Sequence, residues 1–517
     1  MRLKHSVRNL AASWSGQIGY VIINYVTLSV FNATLGKEYM GVQVLFSMVL
    51  TIMSLSELGI GSAITFALYR PLAEGDRDKV RSLMRLFKRA YVTIGVIIIT
   101  IGAVLAPFAQ HLINGETTLP MDDLKLYFFC LVLNSGVSYF FSYKGSLIYA
   151  DQHKSTVAII QYSFQIAMCA AQIAVLMLTH NYLFFLICMI ASSLLQNVVI
   201  AAVANRRYPY LKDKVGIKPL DPETLTGIKK NIAALVLHRI GGIAANPISG
   251  LIINQYVGTG MATNYGIYYN QIVMLLMRFL DQVFDAIVAS VGNLAVTESP
   301  KRQLEVFNTA FFINALLYAV TAVPLLCLFN VFVGDIWLDP SYEFPLYITA
   351  MIVALYFFRG MRSAAISFTG AYGLYWQTRW KAVIETIVLL VLSFALVSSL
   401  QIAGVVLAGI ISSLCVSTVY EGVMLFRHGL KASSRQYFLR FALYTAITAL
   451  LAFVAFQLCA LIPLSGIAGF LIKAAVAILV TLAGYALVFW RTNEFKELLS
   501  IFRRLIAGLK TRVGHSS

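Results

Sequence analysis

The chain has 517 residues, of which 59% are hydrophobic and only 12% are charged, and its mean hydropathy is +0.77. Soluble globular proteins are about 25% charged, so this composition excludes an ordinary soluble domain. The net charge of +17 could suggest nucleic-acid binding, but in so apolar a chain it is better explained by basic loops beside a membrane.

Apolar stretches of membrane-spanning length follow one another along the chain, separated by short polar breaks. A bilayer core needs about 20 apolar residues per helix. We therefore predict an all-α polytopic membrane protein, with tight turns near Asn181, Ile402 and Pro463. The approximate limits of about fourteen transmembrane helices are 12–35, 40–68, 88–113, 124–150, 156–180, 182–205, 231–257, 262–297, 306–334, 344–371, 380–400, 402–426, 438–462 and 466–490.

The distribution of Lys and Arg predicts the orientation. With the N-terminus inside, 32 of the 40 basic residues belong to inner segments, Lys37 alone lies in an outer loop, and seven lie in or at the ends of spans. Because cytoplasmic loops carry the excess of Lys and Arg, both termini are expected to be cytoplasmic. The first span follows a basic segment that lacks a cleavage-site pattern, so we expect it to be retained.

The chain contains an internal repeat. Residues 9–36 (NLAASWSGQIGYVIINYVTLSVFNATLG) align without gaps on residues 231–258 (NIAALVLHRIGGIAANPISGLIINQYVG), with eight identities in 28 positions. Six spans separate the copies, so both run the same way through the membrane, as in parallel repeats of secondary transporters. We predict two pseudo-symmetric six-helix lobes with a cleft between them and two extra C-terminal helices. The predicted divisions are an N-lobe at 1–205, a linker at 206–230, a C-lobe at 231–426, and the last two spans with a basic tail at 427–517.

Three segments resemble one family of transporters. They are SLSELGIGSAITFALYRPLAEGDRDKV at 54–80, SYKGSLIYADQHK at 142–154 and VASVGNLAVTE at 288–298. Together with the two lobes, they are similar to the polysaccharide-transporter flippases of the multidrug/oligosaccharidyl-lipid/polysaccharide (MOP) superfamily. This resemblance implies movement of an undecaprenyl-diphosphate-linked oligosaccharide from the cytoplasmic to the outer leaflet of a bacterial cell membrane.

Basic residues within the spans are the first candidate site. Arg359 and Arg362, three residues apart, are expected on one face of a helix that has no acid closer than Glu343. A guanidinium group offers a diphosphate bidentate hydrogen bonds and stays ionised, so these residues suit a cavity for such a substrate. The full set of basic candidates is Lys144, Arg239, Arg278, Arg359 and Arg362. The alternative is interhelical ion pairing with the available acids Glu57, Asp281, Asp285, Glu385 and Glu421, and for Arg278 a local pair with Asp281 or Asp285 on the same face is favoured.

Acidic and amide side chains form a second set of candidates. A carboxylate in the membrane can carry H⁺ or Na⁺, which makes Glu57, Asp281 and Asp285 candidates for ion coupling, unless they balance the basic residues. Amides that could line a polar cavity, or else join helices by hydrogen bonds, are Gln17, Asn24, Asn246, Gln161, Gln165 and Gln172.

The sequence contains no nucleotide-binding motif, no ligand spacing for a metal and no nucleophile–base arrangement, so we expect neither an enzyme nor a cofactor. The expected partners are a polyprenyl-diphosphate-linked glycan, membrane lipids, and a glycan polymerase or glycosyltransferases, for a monomeric flippase. A multidrug exporter and a lipid II flippase remain alternatives. A membrane-embedded polymerase or ligase would need a large outer loop, whereas the longest outer loops, near 114–123 and 335–343, have about ten residues each.

Overall fold

The computed structural model describes residues 2–53, 60–113, 117–151, 153–212, 219–222, 224–228, 247–374, 377–501 and 503. Within these ranges all regular secondary structure is helical. The chain divides into two compact units, Met1–Thr263 and Asn264–Ser517. The predicted lobe boundary at residue 231 lies outside the described residues and stays a prediction.

The first half of the chain supplies the helices α1 Arg2–Leu35, α2 Lys37–Met53, α3 Ile60–Glu74, α4 Arg77–Leu105, α5 Met121–Ala150, α6 Lys154–Thr179, α7 Tyr182–Arg207, α8 247–256 and α9 Thr259–Tyr265. The second half supplies α10 Met274–Thr297, α11 Pro300–Asn330, α12 Leu346–Gly360, α13 Ser363–Ala371, α14 Lys381–Ile411, α15 Val419–Met424, α16 Arg435–Ala460, α17 Gly466–Phe489 and α18 493–501. Short π-helical segments join several of these, at Gly266–Val273, Val331–Trp337, Ser412–Thr418 and Leu425–Leu430.

Among the described residues, ten helical stretches are long and apolar enough to cross a membrane, so the chain is a multi-pass membrane protein. One of these, Lys381–Leu430, contains two of the predicted spans, because the chain reverses at Gln401, where φ is 51° and ψ is −132°. The other two expected turns also coincide with breaks: His180 is left-handed between α6 and α7, and α17 begins only at Gly466. Because residues 54–59 and 229–246 are not described, the count of fourteen stays a prediction.

Unit 1 is held together by close helix packing. Helix α4 packs along α5, and α6 packs against both α1 and α7. A Cβ atom added to Gly95 of α4 would lie 2.8 Å from the carbonyl oxygen of Gly136 on α5, so the two backbones approach closely only because both positions are glycine. Small residues serve this purpose in membrane helices, where van der Waals packing replaces the hydrophobic effect as the main attraction.

A carboxylate clamp joins α2 to the segment before α5. Glu38 accepts hydrogen bonds from the Thr117 hydroxyl at 2.6 Å, the Thr118 backbone N–H at 2.7 Å and the Thr118 hydroxyl at 2.6 Å. Partial burial of Glu38 acts to raise its pKa, but these hydrogen bonds to the ionised form outweigh that effect and lower the pKa. The clamp fixes the predicted outer end of unit 1.

Helix α11 is the centre of unit 2. It packs against α12, α16 and α17, while α12 packs against α14 and α10 packs against α13. An aromatic cluster fills the space around Tyr437, whose ring contacts those of Phe311 and Phe426 at centroid distances of 5.0 and 5.7 Å. The π-helical segment Leu425–Leu430 thus shares a core with α11 and α16.

Candidate functional site

The span that carries the two arginines is not one continuous helix. Helix α12 ends at Gly360, α13 begins at Ser363, and Met361 and Arg362 form a turn between them. A Cβ atom at Gly360 would lie 2.0 Å from the ring of Tyr318, so only glycine allows this contact with α11. The carbonyl of Gly360 accepts a hydrogen bond from the Asn314 side chain at 3.1 Å, which satisfies a backbone group at the break.

The break directs Arg362 into a buried ion network. Its Nε and Nη2 atoms donate to the two carboxylate oxygens of Glu421, each at 2.9 Å, and its Nη1 atom donates to Glu385 at 3.3 Å. Lys381 donates to Glu421 at 2.6 Å. The side chains of Arg362 and Glu421 are only 7% and 3% exposed. Two cations and two anions therefore balance within unit 2, which is the ion-pairing alternative that the sequence left open for Arg362.

Arg359 lies among aromatic groups. Its guanidinium carbon is 5.5 Å from the ring centroid of Tyr269, and its Nη1 donates to the Tyr269 hydroxyl. The Tyr269 ring in turn stacks on Tyr265, with centroids 5.4 Å apart and planes 8° from parallel. A stacked guanidinium is more weakly hydrated than an ammonium and still presents hydrogen-bond donors, a combination suited to phosphate recognition. The Arg359 side chain remains partly exposed.

Asp281 is held by hydroxyl groups. Its carboxylate accepts hydrogen bonds from Ser363 at 2.7 Å and from Tyr318 at 3.2 Å, and those two hydroxyls are 3.3 Å apart. Ser363 is the first residue of α13, where the helix dipole favours a negative charge nearby. The described contacts of Asp281 thus place it beside the helix break. Arg278, one turn earlier on α10, has an exposed side chain.

The remaining predicted residues are spread over the chain. Lys144 lies on α5 of unit 1 and donates to the Asn205 side chain at 3.0 Å. Gln17 and Asn24 lie on α1 and are partly exposed. Glu57, Arg239 and Asn246 lie outside the described residues, and so does the side chain of Asp285. Their roles in substrate binding, cavity lining or ion coupling stay predictions.

An apolar groove runs beside the helix break, on unit 2. It has a volume of about 360 Å³ and is lined almost entirely by carbon, from α11, α12 and α16. Phe357 and Phe358 of α12 belong to its wall and immediately precede Arg359. Across the groove lie Ala452 and Phe453 of α16. Arg359 follows these two residues on α12, but it is not among the residues that line the groove, and its guanidinium contacts Tyr269 instead.

Sequence reasoning did not single out Tyr265, Tyr269 or Lys381. The two tyrosines are four residues apart, a spacing that places them on one helix face. This spacing was the feature of the sequence from which the tyrosine pair could have been predicted. Lys381 was counted with the inner basic residues, and only the fold shows that it contacts Glu421. In the part of the chain that the structure describes, no three His, Cys, Asp or Glu side chains are grouped closely enough to hold a metal ion.

No protein-family model and no curated protein sequence matches the chain. Solved structures do match it. One is the lipid II flippase MurJ in an inward closed conformation, with a TM-score of 0.66, 14% identity, and coverage of 93% of this chain and 99% of that one. An inward-facing multidrug resistance MATE family transporter has a TM-score of 0.65, 12% identity, and coverage of 80% and 95%.

A MATE transporter of Vibrio cholerae has a TM-score of 0.55 and 12% identity, and the alignment covers 82% of this chain and 97% of that one. These neighbours are transporters and flippases of the MOP superfamily, and each alignment covers most of both chains. At such low identities, the similarity establishes the architecture. The chain is a multi-pass membrane protein with the fold of the MOP-superfamily transporters.

Proposed function

We propose that this protein is a flippase that moves a polyprenyl-diphosphate-linked oligosaccharide from the cytoplasmic to the outer leaflet by alternating access. The neighbours in fold transport their substrates across membranes, and the segments noted in the sequence resemble polysaccharide transporters. The proposal places the protein in a bacterial cell membrane, acting beside the glycosyltransferases or polymerase of a glycan pathway.

The observation that carries the proposal is that α12 contributes both to an apolar groove and, at its next residue, a guanidinium group. Phe357 and Phe358 line the groove, and Arg359 is the next residue. An amphiphile with an anionic head and a long hydrocarbon tail needs both features within a short distance. A polyprenyl chain would lie in the groove, and its diphosphate would accept hydrogen bonds from Arg359 beside the tyrosine pair.

The ion network has a supporting role in this proposal. Because Arg362 is engaged by Glu421 and Glu385, we assign the diphosphate contact to Arg359 and give Arg362 the task of holding α13 to α14 and α15. Asp281, which accepts a hydrogen bond from Ser363 beside the break, is then the described candidate for taking up a proton as α13 moves. Ion coupling through Asp281, Glu57 or Asp285 is part of the proposal.

A lipid II flippase is the second candidate, favoured by the similarity to MurJ, which covers 93% of this chain. A lipid-linked substrate of either kind would use the same groove. A multidrug exporter, suggested by the MATE neighbours, would not require it. Dependence of transport on the groove would therefore distinguish a lipid-linked substrate from a soluble one.

The test uses the full-length protein in proteoliposomes. Three substrates are compared: a fluorescent polyprenyl-diphosphate oligosaccharide, lipid II and a cationic dye. An impermeant quencher reports transfer of the lipids between leaflets. We expect the oligosaccharide lipid to move, and Ala354→Phe, which narrows the groove, to slow it. Arg359→Gln should slow it as well.

Two matched variants control for general damage. Ala442→Phe adds the same bulk at an exposed position on α16, and Arg435→Gln removes an exposed cation from the same helix. Both should transport like the unaltered protein. Movement of the dye alone would overturn the flippase proposal, and movement of lipid II alone would replace the substrate with that of the second candidate.

A further inference from the structure

A second cavity lies in unit 1, between α4, α5 and α7. It has a volume of about 760 Å³, and its wall includes the basic side chains of Arg81, Arg85, Lys88, Arg89 and Lys144. None of the residues described in its lining is acidic. Positive loops orient membrane proteins, but that role requires only charge in a loop, whereas these five cations converge on one concave site.

Two contacts indicate that this wall is built to receive an anion. Lys144 reaches the neutral amide oxygen of Asn205 at 3.0 Å. Arg81 pairs with Asp78 through Nη2 at 2.7 Å, but its Nε atom is buried and has no hydrogen-bond partner among the described residues. A buried donor without a partner is costly, so a ligand that accepts from it is favoured.

The other three cations are uncompensated within the described part of the chain. Arg85, Lys88 and Arg89 are exposed, and none of them has an acidic partner among the described side chains. After Arg89 the helix contains no further charged residue up to Leu105, so the cavity lies where α4 enters the apolar layer. The Lys and Arg count predicts that this end of unit 1 is cytoplasmic.

We propose that this cavity binds a pair of linked phosphate groups carried by a membrane lipid. Basic pockets between helices at the cytoplasmic surface recognise such headgroups. Two phosphates match the number of uncompensated cations better than one does. A lipid is favoured over a soluble diphosphate because the wall continues into the bilayer through Val92 and Thr93. The site is distinct in sequence from Arg359 and goes beyond the proposed transport activity.

The experiment measures ligand-induced stabilisation of the purified full-length protein in neutral detergent. The probes are diphosphatidylglycerol, phosphatidylglycerol at equal phosphate, inorganic pyrophosphate and phosphatidylcholine. We expect diphosphatidylglycerol to bind most tightly. The variant Lys88→Gln/Lys144→Gln should bind it roughly 25-fold more weakly, since each cation near an anionic group contributes about a fivefold factor.

A charge-matched control separates the site from general surface attraction. Arg77→Gln/Lys79→Gln removes two cations from the same helix, where Arg77 stacks on Tyr210 and Lys79 pairs with Asp221, both outside the cavity. It should bind like the unaltered protein, and equal weakening in both double variants would overturn the proposal. Replacing Lys144 could impair folding, so a second double variant, Arg85→Gln/Lys88→Gln, changes only exposed side chains. If this variant binds diphosphatidylglycerol as tightly as the unaltered protein, the proposal is also overturned. Pyrophosphate binding as tightly as the lipid would overturn the lipid assignment.

Discussion

Replacement of Arg362 by Gln should destabilise the protein before it affects any substrate. The change leaves Glu421, which is 3% exposed, without its bidentate partner, and it removes a contact of Glu385 at 3.3 Å. Breaking a buried ion pair typically costs about 3–5 kcal/mol. Because Lys381 still donates to Glu421 at 2.6 Å, we expect the low end of this range, about 3 kcal/mol.

The assay is the amount of folded protein in the membrane together with thermal unfolding in detergent. A double-mutant cycle with Glu421→Gln measures the coupling of the pair, since the double variant removes both of its charges and leaves one cation, Lys381, and one anion, Glu385, four residues apart on α14. We expect the double variant to lose less stability than the sum of the single variants. A comparison variant, Arg440→Gln, breaks the pair with Glu494 at 2.6 Å, where the arginine is 31% and the glutamate 15% exposed, and should cost less than Arg362→Gln because this pair is less buried.

The reasoning fails if Arg362→Gln accumulates and unfolds like the unaltered protein while transport is lost. That result would mean that Arg362 acts on the substrate and that its glutamates do not depend on it. Loss of folded protein with Arg362→Gln, and not with Arg359→Gln, would support the assignment of a structural role to the first arginine and a binding role to the second.

Three further predictions concern packing and pH. Gly360→Ala should destabilise unit 2 by about 1–3 kcal/mol in thermal unfolding, because its methyl group would overlap the ring of Tyr318. The lowered pKa of Glu38 means that its clamp stabilises the protein fully above the ordinary carboxyl pKa and is lost as the pH falls through the lowered value, so Glu38→Gln should flatten the decline of stability in acid. Cys327 and Cys459, which belong to one packed apolar cluster of α11, α16 and α17, should crosslink under a mild oxidant, which peptide mapping would show.

Each of these predictions has a control within the chain. Gly260→Ala should be harmless, since no atom lies within 4 Å of the added methyl group. Thr118→Val removes one hydroxyl donor to Glu38 and should reproduce part of the acid effect, and an unchanged acid profile in both variants would contradict the clamp. The exposed Cys415 should not join the crosslink, and a random pattern of disulfides would contradict the packing of α11 on α16.

Much of the fold could be predicted from the sequence because membrane helices are recognised by the length and apolar content of their segments. The turns near Asn181, Ile402 and Pro463 were predictable from polar breaks, and they coincide with two gaps between helices and with the non-helical residue Gln401 inside α14. The site was predicted less completely. The interval of three residues suggested that Arg359 and Arg362 share a helix face and a role, but the break after Gly360 gives them different neighbours.

The pairing of Arg362 could not be read from the sequence, although both glutamates were named as candidates. Glu385 and Glu421 are 23 and 59 residues from it, and spacing alone cannot choose among several distant acids. The basic cavity of unit 1 was missed for another reason. Its four cations on α4 were explained by topology, and only the packing of α4 against α5 and α7 shows that they converge with Lys144, which had been named as a candidate by itself.

The reversal at Gln401 has a consequence for how the chain is made. The reversal leaves no polar loop between the helical segments before and after Gln401, which form the two arms of a helical hairpin. The cell's insertion machinery should therefore insert both arms into the bilayer together. An unpaired charge costs about 2.5–3.5 kcal/mol at the bilayer centre and less towards the ends of a span, where Lys381, Glu385 and Glu421 are predicted to lie. Lys381 and Glu385 lie on the first arm and Glu421 follows on the second, so the hairpin can neutralise part of its own charge before Arg362, already synthesised, docks against it.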